Sequence, residues 1–357
     1  GFFKNFPLTE ADIKNAETIF GPSVSVLKGK TKRPSPDSVV EDWVEIPPEV
    51  TMHNQKLDLA FDLAFINNAV ILTTIDLAIK FRCCVPIKNR TKAELFDGID
   101  VVLRMYNHAG FNVKVMYCDN EFQPLFDTVK DDMDVHMNYA NPGEHEPHAE
   151  RNNQHIKSLF RTHYHRMPYK CIPKVMTEHL ARRVANTCNY YPAKGGISSH
   201  YSPHMIIHKR QVNFAHECAA EFGSYVQAWG HMTNRNQQSR TLDGIYLGPA
   251  DKFQPGHMVL DLNTKRVVTR KRIKIVPITS QVVNIVENMA LAEDVKGLRF
   301  YDKNGEIIMD GDLLAGVDPD EIWDEDYNYD DNNSQSSTES DHILDDDYVS
   351  EEENEDN

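Results

Sequence analysis

The sequence predicts a mixed α/β fold, an α+β arrangement around a mixed sheet, from two observations. Between residues 57 and 87, apolar side chains alternate with polar or small ones in three successive segments, which is the period of β-strands. After residue 90 the spacing becomes helical, and one short apolar strand separates that helix from further helices. Three antiparallel strands followed by a helix, a strand and helices indicate a sheet covered by helices.

Each element of this core has a local signal. Asn67 and Asn68 predict the hairpin turn between the first two strands, because Asn tolerates positive φ. Thr91 predicts the N-cap of a helix that ends at Gly110, and Pro147 opens a second long helix. The remaining elements are predicted as a third strand at 79–87, strands at 113–118 and 135–139, and a helix at 173–190.

The segments around this core differ from it in composition. Residues 1–50 are polar and Pro-rich, and we expect a connector with one short helix capped by Thr9. Residues 222–280 hold five short β-rich runs separated by Gly, Pro and Asn, which predicts a small β-barrel. Residues 281–317 are expected to be a linker with a hairpin, and residues 318–357 a disordered acidic tail.

The charge of the 357-residue chain is unevenly distributed. The net charge is −16, but residues 318–357 contain 18 acids and no Lys or Arg. The rest of the chain holds 36 acidic and 38 basic residues, a net charge of +2. Within it, residues 151–210 carry eleven Lys or Arg against one acid. This distribution indicates a nucleic-acid partner, which the overall charge alone would argue against.

The acidic tail itself has three interpretations. It is a plain linker, a competitor for the basic clusters, or a segment that binds a partner. We favour the linker.

Other features of the sequence concern the setting of the protein. No apolar run approaches the length of a membrane span, so we expect no membrane partner. The chain begins with Gly1 and shows no leader, and we expect a piece cut from a longer product. Six Cys occur without a CxxC pair, which is neither a disulfide framework nor a zinc knuckle and favours a reducing compartment.

Three acids stand where a metal site could form. Asp62 lies within the first predicted strand, Asp119 ends the strand at 113–118, and Glu150 lies in the helix turn opened by Pro147. If the first and fourth strands are neighbours, the two aspartates converge at one edge of the sheet and the helix can add the glutamate. Three carboxylates in one cleft are what Mg²⁺ or Mn²⁺ requires, and two such ions can activate a water or a 3′-hydroxyl.

Alternatives remain for each of these positions. Asp58 has the same strand parity as Asp62, and Asp76 also competes for the first role. Glu121 and Glu146 compete for the other two. An Asp at the end of a strand is also commonly a turn or cap residue, so the spacing alone leaves the set undecided.

Several segments together resemble those of copia-type retrotransposon integrases. Residues 61–68, Phe-Asp-Leu-Ala-Phe-Ile-Asn-Asn, resemble the first catalytic hairpin of that family. Cys118-Asp-Asn-Glu-Phe resembles the second aspartate segment, and Pro147-His-Ala-Glu-Arg-Asn-Asn resembles the segment with the third carboxylate. Similarity to the family's flanking segments is found at residues 20–30, 223–226 and 246–249.

The resemblance spans residues 10–315 and carries expectations for fold and activity. It implies a ribonuclease-H-like catalytic core at 51–215, followed by a Src-homology-3-like barrel. It implies that Asp62, Asp119 and Glu150 hold two Mg²⁺ or Mn²⁺ ions, which serve to trim element DNA and join its 3′-hydroxyl to target DNA. The chain departs from the family in a shorter spacing between the second and third carboxylates and in lacking the upstream His/Cys zinc module.

Basic residues extend the predicted contact with DNA. Lys157 and Arg161 lie on roughly the same helix side as Glu150, where integrases of this family grip the DNA end. A solvated basic helix face is the alternative, and it applies equally to Arg182 and Arg183. On the predicted barrel, the candidate DNA contacts are Lys265, Arg266, Arg270, Lys271 and Arg272.

The predicted function is therefore a retrotransposon integrase. The rival hypotheses are a non-catalytic nucleic-acid-binding remnant and a metal-dependent nuclease without strand transfer. Expected partners are DNA, further copies of the chain and other parts of the same polyprotein. The expected location is the nucleus during integration and a cytoplasmic particle before it.

Overall fold

The computed structural model describes residues 7–32, 43–139, 146–230, 239–250 and 256–310. All of them belong to one unit of the chain. The predicted disordered tail lies outside the described residues. Among the helices that are described, none is long and apolar enough to cross a membrane.

The predicted connector contains more structure than one helix. Helix α1 covers Glu10–Phe20, and Thr9 forms a reciprocal capping box with Asp12. Two further helices follow, α2 at Val24–Lys30 and α3 at Pro48–Thr51. Helix α2 was not predicted, because it is short and its side chains become partly buried only through tertiary contacts.

Three antiparallel strands follow, as predicted. They are β1 at Lys56–Ile66, β2 at Ala69–Asp76 and β3 at Arg82–Ile87. Asn67 begins the β1–β2 turn with a φ of 51°, the left-handed conformation that Asn tolerates well.

Two parallel strands complete the other side of the sheet. Helix α4, Lys92–Ala109, ends at Gly110 in the left-handed conformation and leads into β4, Asn112–Cys118. β4 pairs parallel with β1, and β5, His136–Tyr139, pairs parallel with β4. The spatial order β3-β2-β1-β4-β5 confirms the predicted mixed sheet. Helix α5, Phe126–Met133, connects the last two strands.

Two long helices cover one face of this sheet. They are α6, Pro147–His165, and α7, Lys174–Cys188, which confirm the predicted helices. Most buried positions of α6 recur at helical spacing, and Ile156 and Phe160 are fully buried. Two short helices follow, α8 at Pro203–His208 and α9 at Phe214–Glu217.

A second, five-stranded antiparallel sheet corresponds to the five predicted β-rich runs. Its spatial order is β10-β6-β7-β8-β9. Within the described residues the two edge strands, β9 and β10, are not paired with each other. The strands are β6 Tyr225–Trp229, β7 Thr241–Pro249, β8 His257–Asp261, β9 Val267–Arg270 and β10 Ile273–Ile275.

The chain then returns to the first sheet. Helix α10, Ser280–Ala292, packs Val282 and Val286 into the same hydrophobic cluster as α6 and α7. The predicted hairpin forms as β11, Arg299–Tyr301, and β12, Ile307–Asp310. β11 pairs with the end of β1, so the central sheet has seven strands.

Candidate active site

Asp62 lies on the face of β1 that helix α6 covers. The neighbouring positions on this face are Ala60 and Ala64, both fully buried, whose small side chains let the helix approach closely. The Asp62 carboxylate is half-buried and accepts a hydrogen bond at 2.7 Å from the Leu63 N–H. Its other oxygen accepts one at 2.6 Å from the side-chain amide of Asn153. Asp62 is therefore held in place by its own strand and by α6.

Asp119 comes to the same place through the register of parallel strands. Ala60 of β1 is paired with Tyr117 of β4, and each aspartate lies two residues beyond its member of this pair. Because side chains alternate along strands, both aspartates leave the sheet on the same face. The Asp119 carboxylate also accepts a hydrogen bond at 3.3 Å from the N–H of Glu146, just before α6.

The two aspartates and a nearby glutamate make this site strongly acidic. Burial raises the pKa of Asp62 to about 7, and the negative charges of Asp119 and Glu121 contribute to the increase. The Leu63 N–H and the Lys157 ammonium act in the opposite direction. A carboxyl group with this pKa is only partly ionised at neutral pH, and a bound cation would favour its charged form.

Helix α6 brings two further polar side chains to Asp62. Asn153 donates from its amide to Asp62 and accepts with its oxygen from the hydroxyl of Thr73, which fixes its orientation. Burial lowers the pKa of Lys157, while the charges of Asp62 and Glu150 raise it, so this ammonium lies within range of both acids.

Sequence reasoning singled out Lys157 and missed Asn153. A signal for Asn153 existed: it is a polar residue on the buried face of a helix, one turn after Glu150. A buried amide needs hydrogen-bond partners, and here the partner is Asp62.

Glu150 occupies the predicted first turn of α6 but is exposed. Within the part of the chain that is described, no group of three or more His, Cys, Asp or Glu side chains is arranged so that it could hold a metal ion. Asp62 and Asp119 supply the carboxylate oxygens that Mg²⁺ and Mn²⁺ prefer, and their mutual repulsion fits a cation site. The donor chemistry thus fits a divalent ion, with Glu150 outside the group that the fold brings together.

The rival acids take distinct places. Asp76 accepts hydrogen bonds at 2.6 Å from the N–H groups of Ala78 and Ile79, so it stabilises the turn after β2. Burial raises the pKa of Asp76 to about 6. Glu121 and Glu146 lie near the aspartates, as their contacts show. Glu121 lies 3.7 Å from the Arg90 guanidinium.

The predicted DNA contacts on helices α6 and α7 differ in their exposure to solvent. Arg161 is half-buried, and Arg182 is exposed. The Arg183 side chain is only 15% exposed. Its guanidinium donates to the Glu217 carboxylate at 3.1 Å and to the Glu217 carbonyl at 2.7 Å, and it lies 5.7 Å from the centre of the Tyr190 ring. Arg183 therefore joins α7 to α9, and it is not among the residues that we propose to contact DNA.

The basic residues of the second sheet lie at both ends of β9. Lys265 and Arg266 are exposed in the turn between β8 and β9. Arg270 ends β9, and Lys271 and Arg272 follow in the turn to β10. The cluster that is continuous in sequence is thus divided between two turns.

Known proteins show only weak similarity to this chain. No protein-family model and no curated protein matches the sequence. Among solved structures, the chain is similar to the catalytic core domain of BIV integrase, with a TM-score of 0.32 and 13% identity over 43% of this chain and 93% of that one. It is also similar to a chain of the simian T-cell lymphotropic virus intasome in complex with PP2A regulatory subunit B56 gamma, with a TM-score of 0.31 and 12% identity over 62% of this chain and 82% of that one. Scores this low do not by themselves establish the family of the chain.

Proposed function

We propose that this chain is the integrase of a copia-type retrotransposon, a polynucleotidyl transferase with a ribonuclease-H-like core. The observation that carries the proposal is the parallel pairing of β1 with β4, which places Asp62 and Asp119 in register on one face, beneath α6. The strand order β3-β2-β1-β4-β5, with three antiparallel and two parallel strands, supports the ribonuclease-H-like assignment.

In this proposal Asp62 and Asp119 would hold two Mg²⁺ or Mn²⁺ ions, and Glu150 would join them once its exposed side chain turns inward. When bound, such ions polarise a phosphodiester and lower the pKa of the attacking water or 3′-hydroxyl. Asn153 keeps the Asp62 carboxylate in position through the hydrogen bond at 2.6 Å. Lys157 lies near both Asp62 and Glu150 and offers a positive charge to the DNA end.

Proposed partners are element and target DNA, further copies of the chain and other parts of one polyprotein. Exposed basic residues would bind the DNA backbone without sequence preference, and such binding weakens as salt rises. Among the predicted DNA contacts, the exposed residues are Arg182, Lys265, Arg266 and Arg272. The proposed location is the nucleus during integration and a cytoplasmic particle before it.

A strand-transfer assay with Mn²⁺ and a blunt duplex tests the function. We expect joined products from the wild-type chain, none from Asp119→Asn, and unchanged DNA binding in that variant. Asp58→Asn, on the same strand as Asp62, is the matched control and should retain activity. Strand-transfer activity in Asp119→Asn would contradict the assignment of Asp119 to the active site.

The second candidate is a nucleic-acid-binding remnant that no longer cuts. It is favoured by one observation, the exposed position of Glu150 outside the Asp62–Asp119 pair. In the same assay a remnant gives a salt-dependent mobility shift without products. Cleavage without joining would instead identify a metal-dependent nuclease.

A further inference from the structure

The C-terminal hairpin lies along the strand that carries Asp62. β4 pairs with the beginning of β1, up to Ala60, and β11 pairs with its end, at Phe65 and Ile66. β2 pairs with the other edge of β1 from Leu59 to Ile66, so β4 and β11 lie on the same edge. Asp62 lies in the interval between these two partners.

The direction of β11 brings the hairpin turn toward the acidic site. β11 runs antiparallel to β1, with Ile66 opposite Phe300 and Phe65 opposite Tyr301. The chain therefore advances from Tyr301 toward the level of Asp62 as it enters the turn at Asp302–Glu306. Lys303 is exposed in this turn.

Arg90 connects the turn to the acidic residues. Its guanidinium donates a hydrogen bond at 2.8 Å to the carbonyl of Lys303 and lies 5.5 Å from the centre of the Phe65 ring. The same guanidinium is 3.7 Å from the carboxylate of Glu121, which follows Asp119 by two residues. A series of contacts thus runs from the hairpin to the site.

The hairpin contributes a positive charge at this edge. Lys303 is exposed in the turn, and the Arg90 side chain is 47% exposed beside the Glu121 carboxylate. The contact with Arg90 uses the backbone carbonyl of Lys303. Among the described residues, the Lys303 ammonium has no hydrogen bond or ion pair, so it can reach a ligand outside the protein.

We propose that Lys303 and Arg90 form a binding site for a backbone phosphate of the DNA substrate, at the rim of the Asp62–Asp119 site. This inference rests on the proposed function. DNA that reaches the two aspartates must pass an acidic surface, and cations at its rim offset that repulsion where the duplex enters. The hairpin, which follows the second sheet in sequence, would then act as part of the substrate-binding surface.

The test is the salt dependence of duplex binding by the full chain, measured by fluorescence anisotropy. A lost phosphate contact reduces the slope of log K against log salt by about 0.9. We expect this reduction in Lys303→Ala, with recovery in Lys303→Arg. The control, Lys296→Ala, removes an exposed lysine from the segment before β11 and should leave the slope unchanged. Lys303→Ala keeps the backbone contact with Arg90, so its thermal unfolding should match the wild type.

A second measurement identifies the phosphate. Replacing single phosphates by neutral methylphosphonates should reveal one position, close to the reacting end, where the change weakens wild-type binding but not that of Lys303→Ala. An unchanged slope in Lys303→Ala, with normal wild-type binding, overturns this inference and leaves the proposed function standing. A wild-type chain that does not bind duplex overturns both. If Lys303→Ala instead weakens only the binding of a peptide of residues 318–357, the site belongs to the acidic tail.

Discussion

At the scale of single residues, ionisation of the Asp62 carboxylate destabilises the folded protein. Asp62 is half-buried beside two other acids, and its pKa is raised to about 7 by burial first and by those charges second. Because the folded state binds this proton more tightly than the unfolded chain does, the protein loses stability as pH rises from about 4 to 7. The cost is typical of a carboxylate that is kept for binding rather than for folding.

Asp62→Asn should therefore stabilise the metal-free protein at high pH. We expect a gain of about 1–3 kcal/mol in the free energy of unfolding at pH 8, which shrinks toward zero near pH 4. Urea unfolding in the presence of EDTA across this pH range measures it. Asp58→Asn is the control on the same strand. A gain that is the same at every pH would show that Asp62 is not the titrating group.

Two adjacent arginines should behave in opposite ways. Arg183 is paired with Glu217 away from solvent, whereas Arg182 is exposed. Arg183→Ala should cost about 2–4 kcal/mol of stability, since it leaves the Glu217 carboxylate without this partner. Arg182→Ala should leave stability within about 0.5 kcal/mol and reduce the salt slope of DNA binding by about 0.9.

Chemical unfolding and anisotropy titrations on both variants separate these roles. If Arg183→Ala unfolded like the wild type and lost DNA affinity, Arg183 would be a DNA contact and not a structural residue.

At the scale of elements, local signals predicted most of the fold. The turn at Asn67 and the ends of α4 were predictable, because alternation, caps and left-handed residues act within a few positions. A hairpin within residues 281–317 was also predicted, but not its pairing with β1. Strand pairing across more than 200 residues leaves no signal in a single sequence. The helical pattern could have shown that Asn153 is buried, but it could not have shown that its hydrogen-bond partner is Asp62.

Phe300 should be the main anchor of the C-terminal hairpin. Its side chain is 3% exposed and packs edge-to-face with Phe160 of α6 at 6.3 Å between ring centres. Phe300→Ala should destabilise the protein by about 3–5 kcal/mol, through lost burial and the cavity left behind. Ile308→Ala should change stability by less than about 0.5 kcal/mol, because the Ile308 side chain in β12 is 47% exposed. Equal effects of the two changes in urea unfolding would contradict the docking of β11.

At the scale of the whole molecule, charge is divided between a body of +2 and an acidic tail. If the tail is a plain linker, deleting residues 318–357 leaves the basic side chains as accessible as before. We therefore expect unchanged DNA affinity at low salt, measured by anisotropy. A rise in affinity that disappears at high salt would show that the tail competes with DNA for those side chains.

The proposed mechanism depends on metal binding by Asp62 and Asp119. The most direct test of this binding is anomalous diffraction from crystals of the full chain soaked in Mn²⁺. We expect two Mn²⁺ peaks at the carboxylates of Asp62 and Asp119, with Glu150 turned inward as a further ligand. Crystals that take up Mn²⁺ only elsewhere, or not at all, would contradict a two-metal polynucleotidyl transferase.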